Sequence, residues 1–213
     1  MWFNFSLQFT YIHSMKSLFA TLLFIVSILF TAEAQNTTPQ LLKEPANWEF
    51  ERFALPPGFA PNIPFKGAEE LRFSPGMFHK DSASYFTYAF VAELENTTTV
   101  SQNEVHNYLS DYFKGLCSGT AKSRKLVIDT SKITVAVERK KGTQPNDVIY
   151  NAALNIFGVF TDGAPVKLNM EVKVLPNAAA KKTYLFFIAS PQDKGNPVWN
   201  ELYPLQKSFK IPG

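Results

Sequence analysis

The chain has 213 residues, of which 46% are hydrophobic, 15% are aromatic and 18% are charged, and its formal net charge is +3. This composition excludes an intrinsically disordered tail and a basic nucleic-acid-binding arm, because such segments have too little apolar surface to form a core. The 179 residues that follow position 34 are enough for one domain with a core of its own.

The N-terminal residues have the pattern of a secretory signal peptide. Met15 and Lys16 begin a short basic region, residues 18–30 form an apolar run, and Ala32-Glu33-Ala34 matches the small-residue pattern that precedes a cleavage point. The run of 13 residues is shorter than the roughly 20 that cross a bilayer. We therefore expect translation to begin at Met15, cleavage after Ala34, a secreted or periplasmic protein, and no transmembrane segment after cleavage. An uncleaved membrane anchor is the alternative.

Residues 35–47 are expected to form a flexible tail, and residues 48–213 a single α+β domain. The domain starts with a Pro-rich segment over 54–76, in which closely spaced prolines such as Pro56 and Pro57 interrupt any regular hydrogen-bond ladder. We expect this segment to lie across the domain surface without regular structure.

One strand and one helix come next. The β-branched and aromatic residues of 85–94 predict a strand. Ser101 and Glu104 form a capping box, and the apolar residues that follow recur at helical spacing. Gly115 then predicts the end of the helix, because glycine is the usual residue just beyond a helix C-terminus.

The rest of the chain predicts mainly strands. Apolar and polar residues alternate over 166–175, which is typical of a strand with one face on a core and the other in water. Thr161-Asp162-Gly163 predicts the turn before it, Gly158 predicts a bulge or a close approach to the helix, and a short helical turn is expected at 198–203. The predicted strands are residues 125–129, 132–139, 148–160, 166–175 and 183–189.

These elements predict an α+β fold in which one amphipathic helix packs on a curved antiparallel β-meander. The strand–helix–strands order is the one that cystatin-like and hot-dog domains have. This similarity is one of architecture and implies no function.

Three stretches, Glu70–Phe78, Tyr85–Phe90 and Tyr112–Cys117, resemble a set found together in uncharacterised exported bacterial proteins of unknown function. The resemblance covers residues 48–120. It implies a periplasmic or secreted setting and no particular activity.

Motifs for metals and cofactors do not occur in the sequence. It contains no C-x-x-C, no H-x-x-x-H, no Asp-rich calcium loop and no Gly-rich phosphate loop, so we expect neither a metal nor a cofactor. Cys117 is the only cysteine and is expected to be a buried apolar residue. Nucleic acid is not an expected partner, because aromatic residues do not alternate with the basic clusters as stacking platforms.

Basic charge is concentrated in the C-terminal half, since residues 35–113 carry a net charge of −5 and residues 114–213 one of +8. Three basic clusters lie near predicted strand ends, where they can gather on one rim of the sheet and attract an anionic envelope component or an acidic partner protein. The alternative is that the acidic half packs against them or that they protect sheet edges. The clusters are Lys122, Arg124 and Lys125; Arg139, Lys140 and Lys141; and Lys181 and Lys182.

Candidate acid–base residues are few. His79 and Asp81 are spaced as a base and an orienting carboxylate can be. Glu69 and Glu70 are adjacent on an extended chain and therefore point to opposite faces, so we expect a surface ion pair with Arg72 and not a paired-carboxylate site.

The preferred hypothesis is an exported soluble protein that acts as a non-enzymatic binding domain in the periplasm or cell exterior. The alternative is a small hydrolase-like or ligand-binding enzyme that uses His79 with a nearby carboxylate in the cleft between sheet and helix. A set of aromatic residues can line a ligand cavity in that cleft, or else fill it as core. The set is Phe157, Tyr184, Phe186, Phe187, Phe90 and Tyr88.

Overall fold

The computed structural model describes residues 40–142, 144 and 147–212. The expected signal peptide and the first five residues of the expected tail lie outside this part of the chain. Within it, no helix is long and apolar enough to cross a membrane.

The fold is α+β, as predicted, with a seven-stranded antiparallel sheet and two α-helices. Helix α1 spans Gln102–Arg124 and helix α2 spans Val198–Ser208, and a short 3₁₀ turn at Thr130–Lys132 precedes the fourth strand. The strands, in chain order, are β1 Glu49–Leu55, β2 Gly67–Phe73, β3 Tyr88–Glu95, β4 Thr134–Lys140, β5 Val148–Phe157, β6 Pro165–Asn177 and β7 Lys182–Ser190.

The strands are ordered β1-β2-β3-β7-β6-β5-β4 across the sheet. Strands β1 and β2 were not predicted, because the prolines around them suggested an irregular segment. The structure confines the prolines to the connections: β1 ends at Leu55, directly before Pro56 and Pro57, and β2 contains none. The predicted strand at 125–129 was wrong, since these residues form the connection between α1 and the 3₁₀ turn.

Helix α1 begins at the predicted capping box, in which the Ser101 side chain accepts from the Glu104 amide and the Glu104 side chain accepts from the Ser101 amide. It does not end at Gly115 but continues to Arg124 and is closed by Lys125 in the left-handed conformation, with φ of 59°. Gly115 has a different function. A Cβ built on it would lie 2.0 Å from the carbonyl oxygen of Phe59, so glycine permits the β1–β2 connection to cross the helix closely.

The sheet is covered on both faces. Helix α1 lies against β4 and β5 on one face, and α2 packs on β7 and β3 on the other. The prediction of a single helix and one apolar face was therefore too simple, because the 11 residues of α2 continue well past the predicted turn at 198–203. The second core, on the α2 face, contains Leu42, Trp48, Ala89, Val91, Tyr184, Phe186, Ile188, Val198, Trp199 and Leu202.

The alternation predicted for 166–175 is present in β6, where Leu168, Met170 and Val172 are fully buried on the α1 face. The opposite face of the strand is not simply in water. Glu171 is buried there, because the ammonium groups of Lys140 and Lys194 lie 2.7 and 3.6 Å from its carboxylate.

The β5–β6 connection forms the predicted tight turn. The Gly163 amide donates to the Gly158 carbonyl over 3.0 Å, and Gly163 has a φ of 74° that favours glycine. Gly158 was predicted to mark either a bulge or a close approach to the helix. It does mark a close approach, but the neighbour is Tyr85: a Cβ at Gly158 would lie 2.6 Å from the Tyr85 hydroxyl oxygen.

Candidate functional site

An apolar cavity of about 510 Å³ opens on the α1 face of the sheet, over β1, β2 and β3. Helix α1 lies along β4 and β5, and its Tyr108 and Tyr112 side chains extend across the sheet to Phe187 of β7, Phe90 of β3 and Glu69 of β2. The cavity lies beyond these side chains, toward the β1 edge, between the sheet and the connections β1–β2 and β2–β3. The side chains in its wall include Phe53, Leu71, Phe73, Met77, Phe86, Tyr88, Tyr112, Leu116 and Phe160.

The roof of the cavity is the Pro-rich connection at Pro56–Phe59. The Phe59 ring packs edge-on against Tyr112 of α1, with centroids 5.0 Å apart, and against Phe53 of β1 at 6.0 Å. Backbone hydrogen bonds from Ala60 to Pro57 and from Ile63 to Ala60, of 2.9 and 3.2 Å, close two successive turns behind it. Proline also fixes φ at these positions, which limits the conformations that the roof can adopt.

Glu51 is the one charged residue in the wall of the cavity, and its side chain is exposed. The rest of the wall consists of aromatic rings, aliphatic side chains and backbone. Phe78 is 40% exposed and lies against two wall residues, with ring centroids 5.8 Å from Phe73 and 5.6 Å from Phe160. The cavity thus offers an apolar interior with one carboxylate and one exposed ring nearby.

A fully buried carboxylate lies behind the cavity wall. Glu69 of β2 points to the α1 face, where it accepts hydrogen bonds from the hydroxyls of Tyr108 and Tyr112, the latter over 2.8 Å. Burial raises the pKa of Glu69 from its ordinary value of 4.5 to about 7, although the two hydroxyls oppose this shift. Tyr112 therefore connects the two features, because its ring lines the cavity and its hydroxyl holds Glu69.

Glu70 and Arg72 point to the opposite face, as predicted from the pleat, but they do not form the expected surface ion pair. Glu70 is buried and accepts from the amides of Leu41 and Leu42 and from Arg52, each within 2.8 Å. Arg72 donates instead to the carbonyls of Leu42, Lys43 and Trp48. These two side chains fix the segment before β1 to the sheet, so part of the expected tail is held in place.

Sequence reasoning correctly separated Glu69 from Glu70 but missed that both are buried. A signal for Glu69 was available: Tyr108 and Tyr112 are four residues apart and so lie on one side of α1. Two hydroxyls at this spacing on an otherwise apolar stripe require a polar partner when they are buried.

His79 and Asp81 lie on the exposed turn between β2 and β3. Neither belongs to the cavity wall, and no other described residue forms a hydrogen bond with the His79 imidazole. Their neighbour Lys80 is held by Asp162, at 2.5 Å. The enzyme alternative requires His79 in a concave site beside a carboxylate, and the structure does not bring these groups together.

The three basic clusters do not gather on one rim. The Arg124 side chain donates to the Thr161 carbonyl over 3.4 Å, which places the first cluster at the end of the sheet that carries the β5–β6 turn. The other two flank the β4–β5 and β6–β7 connections at the opposite end. Two lysines of these other clusters already form salt bridges, Lys140 with Glu171 and Lys182 with Glu93, the latter over 2.9 Å. Successive strand ends in a meander lie at opposite ends of the sheet, which the sequence argument overlooked.

Cys117 is buried within α1, where its thiol lies 3.8 Å from the Phe157 carbonyl and burial raises its pKa. Cys117 lies inside α1 and not beyond its end, because the helix continues past the predicted end at Gly115. Among the residues that the structure describes, no group of three or more His, Cys, Asp or Glu side chains is arranged to hold a metal ion.

Most of the aromatic residues proposed as a cavity lining fill the core instead. Phe90 and Phe187 stack on each other from neighbouring strands, with centroids 4.0 Å apart, and they also stack on Tyr112 and Tyr108 of α1, at 6.0 and 5.7 Å. Tyr184 and Phe186 belong to the second core on the other face. Only Tyr88 of the predicted set lines the cavity, which lies nearer the β1 edge of the sheet than expected.

Comparison of the chain with protein-family models, with curated proteins and with solved structures finds no match.

Proposed function

We propose that this protein is a non-enzymatic binding domain that holds a small apolar molecule in the cavity over β1–β3. One observation carries the proposal: a pre-formed space of about 510 Å³, walled by aromatic and aliphatic side chains and roofed by an ordered Pro-rich turn. Ligand sites for small molecules are commonly about 300–1,000 Å³, mostly apolar and largely formed before the ligand enters.

The charge at the cavity favours one class of ligand. Glu51 is the charged member of the wall, and Glu69 lies behind Tyr112. A ligand with a carboxylate head would meet these acidic groups with no cation in the wall to offset them. The preferred ligand is therefore a molecule with an apolar body and a neutral or cationic polar group.

The setting that we propose is the periplasm or the cell exterior. The signal-peptide pattern at 15–34 and the resemblance over 48–120 support this location.

The architecture that we propose is similar to that of cystatin-like and hot-dog domains. The order of elements β3-α1-β4-β5-β6-β7 supports this likeness, and β1, β2 and α2 are additions to it.

Native mass spectrometry of residues 35–213, purified gently from its own exported fraction, tests the proposal directly. We expect an added mass of a co-purifying apolar molecule, or saturable binding of the neutral fluorescent dye Nile red by the emptied protein. A bare mass together with no saturable Nile red binding would refute the proposal.

A matched pair of variants locates the site. Leu116 is a half-buried wall residue, so Leu116→Trp fills part of the cavity and is expected to weaken Nile red binding about tenfold, a loss of roughly 1.4 kcal/mol. Leu205→Trp makes the same change at a half-buried position of α2 on the other face, and it should leave the affinity unchanged. Equal effects of the two substitutions would place the dye elsewhere.

A further inference from the structure

One end of the molecule combines cations without carboxylate partners and exposed apolar side chains. The C-terminus of α1 presents Lys122, Arg124 and Lys125, all exposed and none in a salt bridge with another described residue. Val127 follows directly and is fully exposed, at 101% of its reference area. Helix-dipole compensation explains cations in the last turn of a helix, but it does not explain an exposed valine beside them.

Phe78 lies at the same end. Its ring packs against Phe160 of the β5–β6 connection, at 5.6 Å, and Arg124 and Lys80 both reach the next two residues of that connection, Thr161 and Asp162. The structure records three large hydrophobic side chains as exposed among the described residues, and two of them, Phe78 and Val127, are at this end.

The acidic groups nearby do not neutralise the cluster. Asp162 is paired with Lys80 at 2.5 Å. Asp129 accepts from the Ser131 hydroxyl over 2.6 Å and lies 3.9 Å from Lys132. Asp81 is the remaining exposed carboxylate of the adjacent turn. The three cations at the end of α1 are therefore available to an external anion.

We propose that Lys122, Arg124, Lys125, Val127 and Phe78, which we name the docking end, bind the surface of an anionic lipid bilayer. Basic side chains are attracted to anionic headgroups, and exposed apolar side chains among them enter the interface between headgroups and hydrocarbon. An acidic protein surface would also attract the cations, and it is the alternative that the vesicle experiment distinguishes from a bilayer.

The docking end also has a relation to the cavity, which rests on the proposed function. Phe78 contacts Phe73 and Phe160, and both rings are in the cavity wall. Docking through Phe78 would bring that wall close to the bilayer interface, where an apolar ligand is most concentrated. The proposed ligand is then one that partitions into membranes.

Co-sedimentation with phosphatidylcholine vesicles, with and without phosphatidylglycerol, tests the docking end. We expect binding to the anionic vesicles that weakens as salt is added, and no binding to the neutral ones. The variant Lys122→Gln/Arg124→Gln/Lys125→Asn should lower the partition constant roughly a hundredfold, since each basic residue near such a surface contributes about fivefold. Asparagine is used at position 125 because it tolerates the left-handed backbone there.

A control variant removes the same charge from the opposite end of the sheet. Arg139→Gln/Lys141→Gln/Lys181→Asn changes three exposed residues, one of them also in the left-handed conformation. It should reduce binding by less than about threefold, because its charges are more than a Debye length of about 8 Å from the bound surface. Equal losses in the two variants would mean general attraction of a basic protein and would overturn the proposal.

A second variant keeps the test valid if the triple substitution impairs folding. Val127→Ser leaves the charge unchanged at a fully exposed position, and it should weaken binding to anionic vesicles about fivefold by removing the apolar contact. No binding of the unmodified protein to anionic vesicles at low salt would overturn the proposal and favour an acidic protein partner. Nile red binding measured without vesicles should be the same in all these variants, which separates failure of the docking end from failure of the cavity.

Discussion

We expect the stability of the unmodified protein to depend on pH through the buried carboxyl group of Glu69. The substitution Glu69→Gln should abolish most of this dependence. The pKa of Glu69 rises from 4.5 to about 7 on folding, because burial between β2 and α1 disfavours the charged form. Between these two values the unfolded chain has lost the proton and the folded protein retains it. The free energy of unfolding therefore falls as the pH rises from about 4.5 to 7 and levels off above about 7.

The size of the fall follows from the pKa difference. The pKa of Glu69 differs by about 2.5 between the unfolded and folded states, and each pKa unit corresponds to about 1.36 kcal/mol. The free energy of unfolding therefore falls by about 3 kcal/mol between pH 4 and pH 8. In a domain of this size that corresponds to roughly 6–12 °C in Tm. The titratable groups around Glu69 are Tyr88, Tyr108, Tyr112 and Glu51. The pKa of each of these tyrosines is raised well above 10 by burial, so none of the three titrates in this range.

Urea unfolding followed from pH 4 to pH 8 measures the effect. The unmodified protein should lose about 3 kcal/mol over this range relative to Glu69→Gln, whose amide remains neutral throughout. Glu51→Gln, at the exposed neighbour, is the matched control and should keep nearly the full pH dependence. Parallel pH profiles for the unmodified protein and Glu69→Gln would refute the reasoning, because Glu69 would then titrate equally in the folded and unfolded states.

Three further substitutions, one of them a control, test the contacts of α1 with Glu69 and with the β1–β2 connection. Tyr112→Phe removes the hydroxyl that donates to Glu69 over 2.8 Å but retains the ring in the cavity wall, so the free energy of unfolding should fall by about 1–2 kcal/mol while Nile red affinity stays unchanged. A loss of affinity without a loss of stability would contradict this division of roles. Gly115→Ala should destabilise by about 2 kcal/mol, because the added Cβ meets the Phe59 carbonyl at 2.0 Å, whereas Gly119→Ala has its nearest such contact at 4.0 Å and should be neutral or stabilise by up to about 1 kcal/mol. Thermal unfolding of both glycine variants checks the pair, and similar shifts in Tm would show that the loop does not press on the helix.

The sequence predicted correctly those elements that are determined by interactions between residues close together in the chain. The capping box at Ser101 and Glu104 marked the start of α1, since both of its hydrogen bonds form within one turn. The alternation over 166–175 marked the core face of β6 because the pleat alone determines it. Gly163 marked its turn through a backbone conformation that glycine favours.

The errors arose where distant parts of the chain meet. Glycine is common just beyond helix ends, but Gly115 lies inside α1. A glycine is needed there because the backbone of Phe59, more than 50 residues earlier in the chain, passes close to the helix. The strands β1 and β2 are stabilised by pairing with each other and with β3, which outweighs the proline-rich composition around them. Hydrophobic patterns identify which face of a strand is buried, but not which strands a helix will cover, so the position of the cavity could not be read from them.

The distribution of chromophores across the sheet has a practical consequence. Trp48 and Trp199, the two tryptophans of the described residues, lie in the core between the sheet and α2. Tyr88 and Tyr112 line the cavity on the other side. When tryptophan alone is excited, its emission therefore reports on the packing of the α2 face, on the side of the sheet away from the cavity. Ligand entry should change the near-ultraviolet absorption of tyrosine and leave this emission constant, and unfolding should change both.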